Sequence, residues 1–212
     1  MSPPSKGEQT RAAILDRALD IASRLGLEGL TIGSLADAIG MSKSGLFAHF
    51  GSREELQRAV LEHGAQRFGE HVLAPVVTID RGLPRLRALF EHWMDWTVSS
   101  GLAGGCILLS AAHEYDDRPG PMRDAVAAGQ RRGLAVIERA VRLAIDEGHL
   151  RDDADPSQFA FEMLGLILVV HNHRRLLGDR EARGRARTAF DSLIARHAVP
   201  RPAARRRAGA AR

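Results

Sequence analysis

The chain has little that would support catalysis, metal binding or membrane insertion. Its single cysteine, Cys106, excludes an intrachain disulfide, and no Cys-x-x-Cys zinc or redox pair exists. There is no glycine-rich phosphate loop, no triad word and no paired-carboxylate motif. His113-Glu114 lacks the second histidine of a zinc-protease helix. His171 and His173 are two apart, so on a helix they point to nearly opposite sides and cannot share a metal; they read as surface or interface residues. The longest apolar stretch, residues 163–170, is too short to span a bilayer, and the start MSPPSKGEQTR lacks the apolar core of a signal peptide. These absences predict a soluble, cytoplasmic protein with no membrane partner, cofactor or metal, and no enzymatic activity.

A globally basic surface is missing too. The net charge is +4. Residues 1–63 hold seven Lys/Arg against eight Asp/Glu, residues 64–195 seventeen against eighteen, and residues 196–212 six Arg and no acid. The excess therefore lies wholly in the tail. Any affinity for nucleic acid must come from local placement of a few groups.

What is present is concentrated in TIGSLADAIGMSKSGLFAHFGSREEL, residues 31–56. Ile32, Leu35, Ala36 and Ile39 mark one helix face, and Gly40 can adopt the left-handed conformation that ends the helix. Ser42 caps a second helix, buried through Leu46 and Phe50. Ser52-Arg53-Glu54-Glu55 is a capping box that opens a third. Small Ala36 lets the first two cross closely. This is a helix-turn-helix pattern, whose second helix enters the DNA major groove. With Leu46 and Phe50 used in the core, Lys43, Ser44, Gly45, Phe47 and His49 remain for DNA. Lys43 can donate to guanine, Ser44 can donate or accept, and Gly45 permits close approach. His49 and Arg53 fall where phosphates would run, the helix starts at Thr31 and Ser52 offer N–H groups to phosphate oxygens, and Ser42 is a further candidate DNA contact. A solvated helical hairpin within an all-α core is the competing reading.

Together with QTRAAILDRALDIASRLGLEGL before it, the segment resembles the N-terminal domain of the tetracycline-repressor (TetR) family of bacterial transcription regulators. The matching words are Thr31, Leu35-Ala36, Ile39-Gly40, Ser42-Lys43, Leu46-Phe47, His49-Phe50 and Ser52 to Leu56, over about a quarter of the chain. The family often has tyrosine at Phe47, whose phenyl cannot donate to a phosphate; Arg53 keeps the charge of the usual lysine.

Helical spacing, with Gly and Pro punctuation, predicts about nine helices and no convincing strand. The first runs from about Glu8 to Leu25. The helix opened by Ser52 extends to about Leu73 and stops at Pro75, with residues 76–79 as loop. Others follow at 86–99, 106–115, 126–144, 156–177 and 182–194. The expected fold is all-α: a three-helix head (1–51), a connecting helix (52–74), a larger helical body for ligand binding and dimerisation (75–198), and a disordered Arg-rich tail (199–212).

The stretch 159–170 is apolar nearly all round, so it is buried either within the chain or against a second subunit. Leu168 and Phe190 are candidate interface residues. The resemblance implies a homodimer whose heads read a palindromic operator in double-stranded DNA, and a small-molecule effector among the body helices. Phe90, Trp93, Trp96, Cys106, Ser110, His113 and Met163 are candidate ligand contacts, although aromatics at helical spacing more often fill a core. An all-α enzyme using Cys106 and His113, or a helical adaptor without DNA binding, are the alternatives.

Overall fold

The computed structural model describes residues 5–200, and all of its regular structure is helical. The head comprises α1 (Lys6–Leu25), α2 (Ile32–Ile39) and α3 (Lys43–Phe50). Local chemistry sets each boundary. Ser5 and Glu8 form a reciprocal capping box that starts α1 two residues before Glu8. Thr31 and Ser34 do the same for α2, and Gly40, at φ 68°, ends it. The Ser42 hydroxyl accepts the Gly45 N–H at 3.1 Å to start α3. Ile14, Ala18, Leu19 and Ala22 of α1 pack with Leu35, Ala36, Leu46 and Phe50. Leu19 is fully buried, whereas Leu25, at the end of the helix, is exposed.

The next helix departs from expectation. α4 (Arg53–Phe68) continues through a π-helical segment (Gly69–Leu73) into α5 (Ala74–Val77), crossing Pro75 without a break. A proline inside an α-helix clashes with the carbonyl four residues earlier and lacks an N–H. The wider π turn before it re-registers the backbone, so Val76 is buried and helical rather than in a loop.

The body contains α6 (Leu83–Ser99), α7 (Ile107–Glu114), α8 (Pro121–Asp146), α9 (Pro156–Leu176) and α10 (Ala182–His197). Counting α4 to α5 as one rod gives nine helices among the described residues. Asp155 caps α9 through the N–H groups of Ser157 and Gln158. The core joins Phe90 and Trp93 of α6 to Ile137 and Val141 of α8, Phe159 and Met163 of α9, and Phe190 of α10. Phe90 and Phe190 stack at 3.9 Å, so Phe190 belongs to the chain's own core, not to an interface. The arginine face of α10 is clamped to α6, with Arg187 on Glu91 and Arg183 on Asp95. His171 is also buried, correcting its surface assignment, whereas His173 lies beside Asp179.

α9 is not buried on every side. Phe161 and Val169 are 72% and 52% exposed, and Leu176 beyond them 81%. Val199, expected to begin the tail, donates its N–H to the His149 carbonyl. The Arg-rich segment 201–212 lies outside the described residues. No described helix is long and apolar enough to cross a membrane.

Candidate nucleic-acid interface and body cavity

The second helix of the pair is held from below. Leu46 and Phe50 face the head core, and Arg11 of α1 lies 4.5 Å from the Phe50 ring centre while donating to the His49 carbonyl. Ser42, Lys43, Ser44, Phe47 and Ala48 are thereby turned to solvent. Phe47 is 57% exposed, an uncommon position for a phenyl ring. The end of the Lys43 side chain, Cε and Nζ, lies over Gly33 at the start of α2. Ser44 shares its hydroxyl with Ser42 at 3.2 Å. Gly45 is half-buried: a Cβ there would stand 3.1 Å from the Ser42 hydroxyl, so glycine leaves room for the cap itself. Thr31 and Ser52 spend their side chains on the Ser34 and Glu55 N–H groups.

Arg53 differs from its expected place. Its guanidinium donates to the Leu30 carbonyl at 3.3 Å and to the Glu28 carbonyl, and pairs with the Glu28 carboxylate at 3.0 Å. The turn between α1 and α2 offers carbonyls with no helical partner, and Arg53 satisfies them. It is committed to the fold rather than free for a phosphate.

The head core extends into the body. Leu56, Val60 and Leu61 of α4, with Ile107 and Ala111 of α7, complete the cluster begun by α1 to α3. Glu114, the last residue of α7, accepts the Leu27 and Glu28 N–H groups. The Tyr115 hydroxyl donates to Glu28 at 2.7 Å; burial, with the Glu28 carboxylate beside it, pushes this phenol well above its ordinary range. Gln57 donates to the Leu27 carbonyl at 2.6 Å. Gly104 sits so close to Ser23 that a Cβ there would fall on the Ser23 carbonyl. Sequence reasoning missed Glu114, because nothing in its neighbourhood marks a carboxylate aimed at a turn nearly ninety residues away.

A cavity of 590 Å³ lies between α4, α6, α7 and α8. Leu61 and Ala65 form one wall, Leu108 and Leu109 another, and Trp93 with Phe68 a third. Of the seven expected ligand contacts, Trp93 and Cys106 line it and five do not. Phe90 is consumed by its stack on Phe190, and Met163 lies fully buried in the core. Trp96 packs edge-on against Phe68 and beside His71. The Ser110 hydroxyl returns to the carbonyls of its own helix, and His113 is exposed. Burial pushes the Cys106 thiol up, so it is protonated, and it does not share its buried setting with His113. The missed wall belongs to α8: Ala125, Ala128, Gly129 and Gly133 are small, and the space they leave is the cavity. Their spacing along one face was the available signal.

The sequence profile described as bacterial regulatory proteins, tetR family, matches residues 14–60. A second, tetracyclin repressor-like, C-terminal domain, matches residues 82–190. Among solved structures, a TetR transcriptional regulator from Chloroflexus aurantiacus J-10-FL is 24% identical with a TM-score of 0.80, covering 91% of this chain and 98% of that one. A TetR-family regulator from Cytophaga hutchinsonii is 20% identical with a TM-score of 0.83, covering 94% and 100%. AibR, in complex with isovaleryl coenzyme A and operator DNA, is 27% identical with a TM-score of 0.70, covering 87% and 98%. No curated protein matches the chain.

Proposed function

The chain belongs to the tetR family of bacterial regulatory proteins, and from that premise we propose that it is a homodimeric repressor, seated on a palindromic operator and released by a small molecule in the body cavity. The observation that carries the reading is the α2–α3 unit. Leu46 and Phe50 anchor α3 while Lys43, Ser44 and Phe47 stand unobstructed on its outer face. Lys43 is the base reader, with Ser44 beside it; Gly45 allows the backbone near the groove. His49 and the helix starts at Thr31, Ser42 and Ser52 approach phosphates through N–H groups.

One head reads few base pairs, so two related by a twofold axis gain affinity and specificity, with recognition helices roughly 34–36 Å apart. The exposed stripe of α9, Phe161 to Val169, supplies an apolar face of the kind a partner covers. For release, α4 and α7 each line the cavity and each enter the head core. A ligand that fits the cavity better in one head orientation shifts the population toward it. AibR, solved with both an acyl coenzyme A and operator DNA, is a precedent for the two sites on one chain. Regulators of this family are in general non-enzymatic.

The test is a gel shift with DNA flanking the chain's own gene, followed by sedimentation of the complex. The expected result is a twofold-symmetric footprint bound by two chains. Failure to retard any selected duplex, by a folded protein, overturns the reading.

A further inference from the structure

The cavity's polar groups are few; the Trp93 indole N–H is buried without a partner, and of the charged and amide groups all but one are already engaged. Arg58 and Glu62, one turn apart on α4, pair with each other at 3.4 Å. Gln130 donates to the Leu108 carbonyl at 2.7 Å, locking α8 to α7. Cys106 is buried and uncharged. Arg132 remains. Its guanidinium folds back along α8 over Gly129, where a Cβ would meet Nη2 at 3.7 Å. No ion pair or hydrogen bond holds it among the described residues. The sequence explains why: the residues three and four away on either side are Gly129, Ala128, Ala135 and Val136, none able to accept from it. The remaining lining is aliphatic and aromatic, from Leu61 and Phe68 to Trp93 and Leu164.

We propose that the cavity takes an amphipathic anion: an apolar body against Trp93, Phe68 and the leucines, and one carboxylate- or phosphate-type head on Arg132. This rests on reading the cavity as the effector site and adds the chemistry of the effector. The rim carries two cations and one anion. The paired Arg58 and Glu62 cancel, leaving one positive charge at the mouth. A cationic head would meet Arg132 without compensation. A neutral head would leave the guanidinium to water. A carboxylate or phosphate accepts its fork of donors in a charge-assisted, bidentate pair. The volume falls in the range of sites that enclose small organic ligands.

The experiment uses the full chain and four ten-carbon probes below their micelle points: decanoate, decyl phosphate, decanol and decylamine. Binding is read from the fluorescence of Trp93 and Trp96, the chain's two tryptophans. At least one anion should bind about tenfold or more tighter than decanol, the size of one charge-assisted hydrogen bond. Decylamine should bind weakest, and Arg132→Gln should bring the anion to within about twofold of decanol. Decanoate preferred over decyl phosphate assigns a carboxylate, and the reverse a phosphate. Decanol or decylamine binding as tightly as either anion, or an anion preference that survives Arg132→Gln, overturns the head-group assignment but keeps a ligand site. No binding by any probe, while the protein still retards operator DNA, overturns the cavity as an effector site as well.

Discussion

Glu114 Oε2 accepts the backbone N–H of Leu27 at 2.8 Å, and its Oε1 accepts that of Glu28 at 2.7 Å. One carboxylate at the end of α7 thus holds the turn between α1 and α2. The opposite end of α7 lines the cavity through Leu108 and Leu109. The head cannot rotate against the body without stretching these bonds or carrying α7 along.

Glu114→Ala should therefore weaken the junction. It strands two backbone donors, one of them on fully buried Leu27. Charge-assisted bonds of this kind contribute about 1.5–3 kcal/mol each, and water will recover part of that at Glu28. A loss of about 2–3 kcal/mol, read from denaturant midpoints, is expected. A midpoint equal to wild type would show that the clamp holds nothing.

The apolar stripe of α9 and the buried Phe190 respond differently to the same chemistry. Phe161→Asp and Val169→Asp place a charge where the single chain leaves space. Both should keep the helical signal and the melting transition of a folded monomer while abolishing dimers in sedimentation. Phe190→Asp buries a charge against Phe90 and should cost more than about 4 kcal/mol, unfolding the body. If Phe161→Asp leaves the dimer intact, its interface lies elsewhere.

Stability should carry an acid limb from His171. Its pKa is lowered, first by burial and then by the nearby charges of Arg175 and His113. The folded chain therefore disfavours the imidazolium, and the unfolded chain takes up the proton first as pH falls below the ordinary value of 6.5. Stability from the neutral ring is complete above that value and declines as pH falls through the window below it. His171→Gln should flatten that decline relative to wild type in urea midpoints taken between about pH 7 and pH 5. Parallel curves for the two proteins would assign the limb to other groups.

What the sequence disclosed and what it hid have separate physical grounds. The ends of α2 and α3 were legible because caps are local: Thr31, Gly40 and Ser42 act on groups within three or four residues. Pro75 misled because its clash is avoidable by a π turn that no residue type announces. The cavity residues were only partly legible. Periodicity tells which face of α6 is buried, but not whether that face meets a side chain or a void. Phe90 and Trp93, three apart, take opposite fates for this reason: one meets Phe190, the other faces Gly133 of α8. Arg53 was misplaced because its acceptors are backbone carbonyls more than twenty residues away.

The exposed ring of Phe47 makes a prediction about the operator. It lies one turn beyond Lys43 on the same outward face of α3, with no hydroxyl to offer a phosphate. In the major groove the one apolar group on a base edge is the thymine methyl. Lys43→Ala should lower operator affinity by about 1–3 kcal/mol and relax one position of each half-site. Phe47→Ala should also weaken binding, and its loss should be reproduced by a single thymidine-to-deoxyuridine replacement in each half-site. The two changes should not add, because both remove the same contact. Deoxyuridine scanning that leaves wild-type affinity unchanged at every position would instead seat the ring against the sugars. Additive losses would separate the ring from the methyl it is expected to touch.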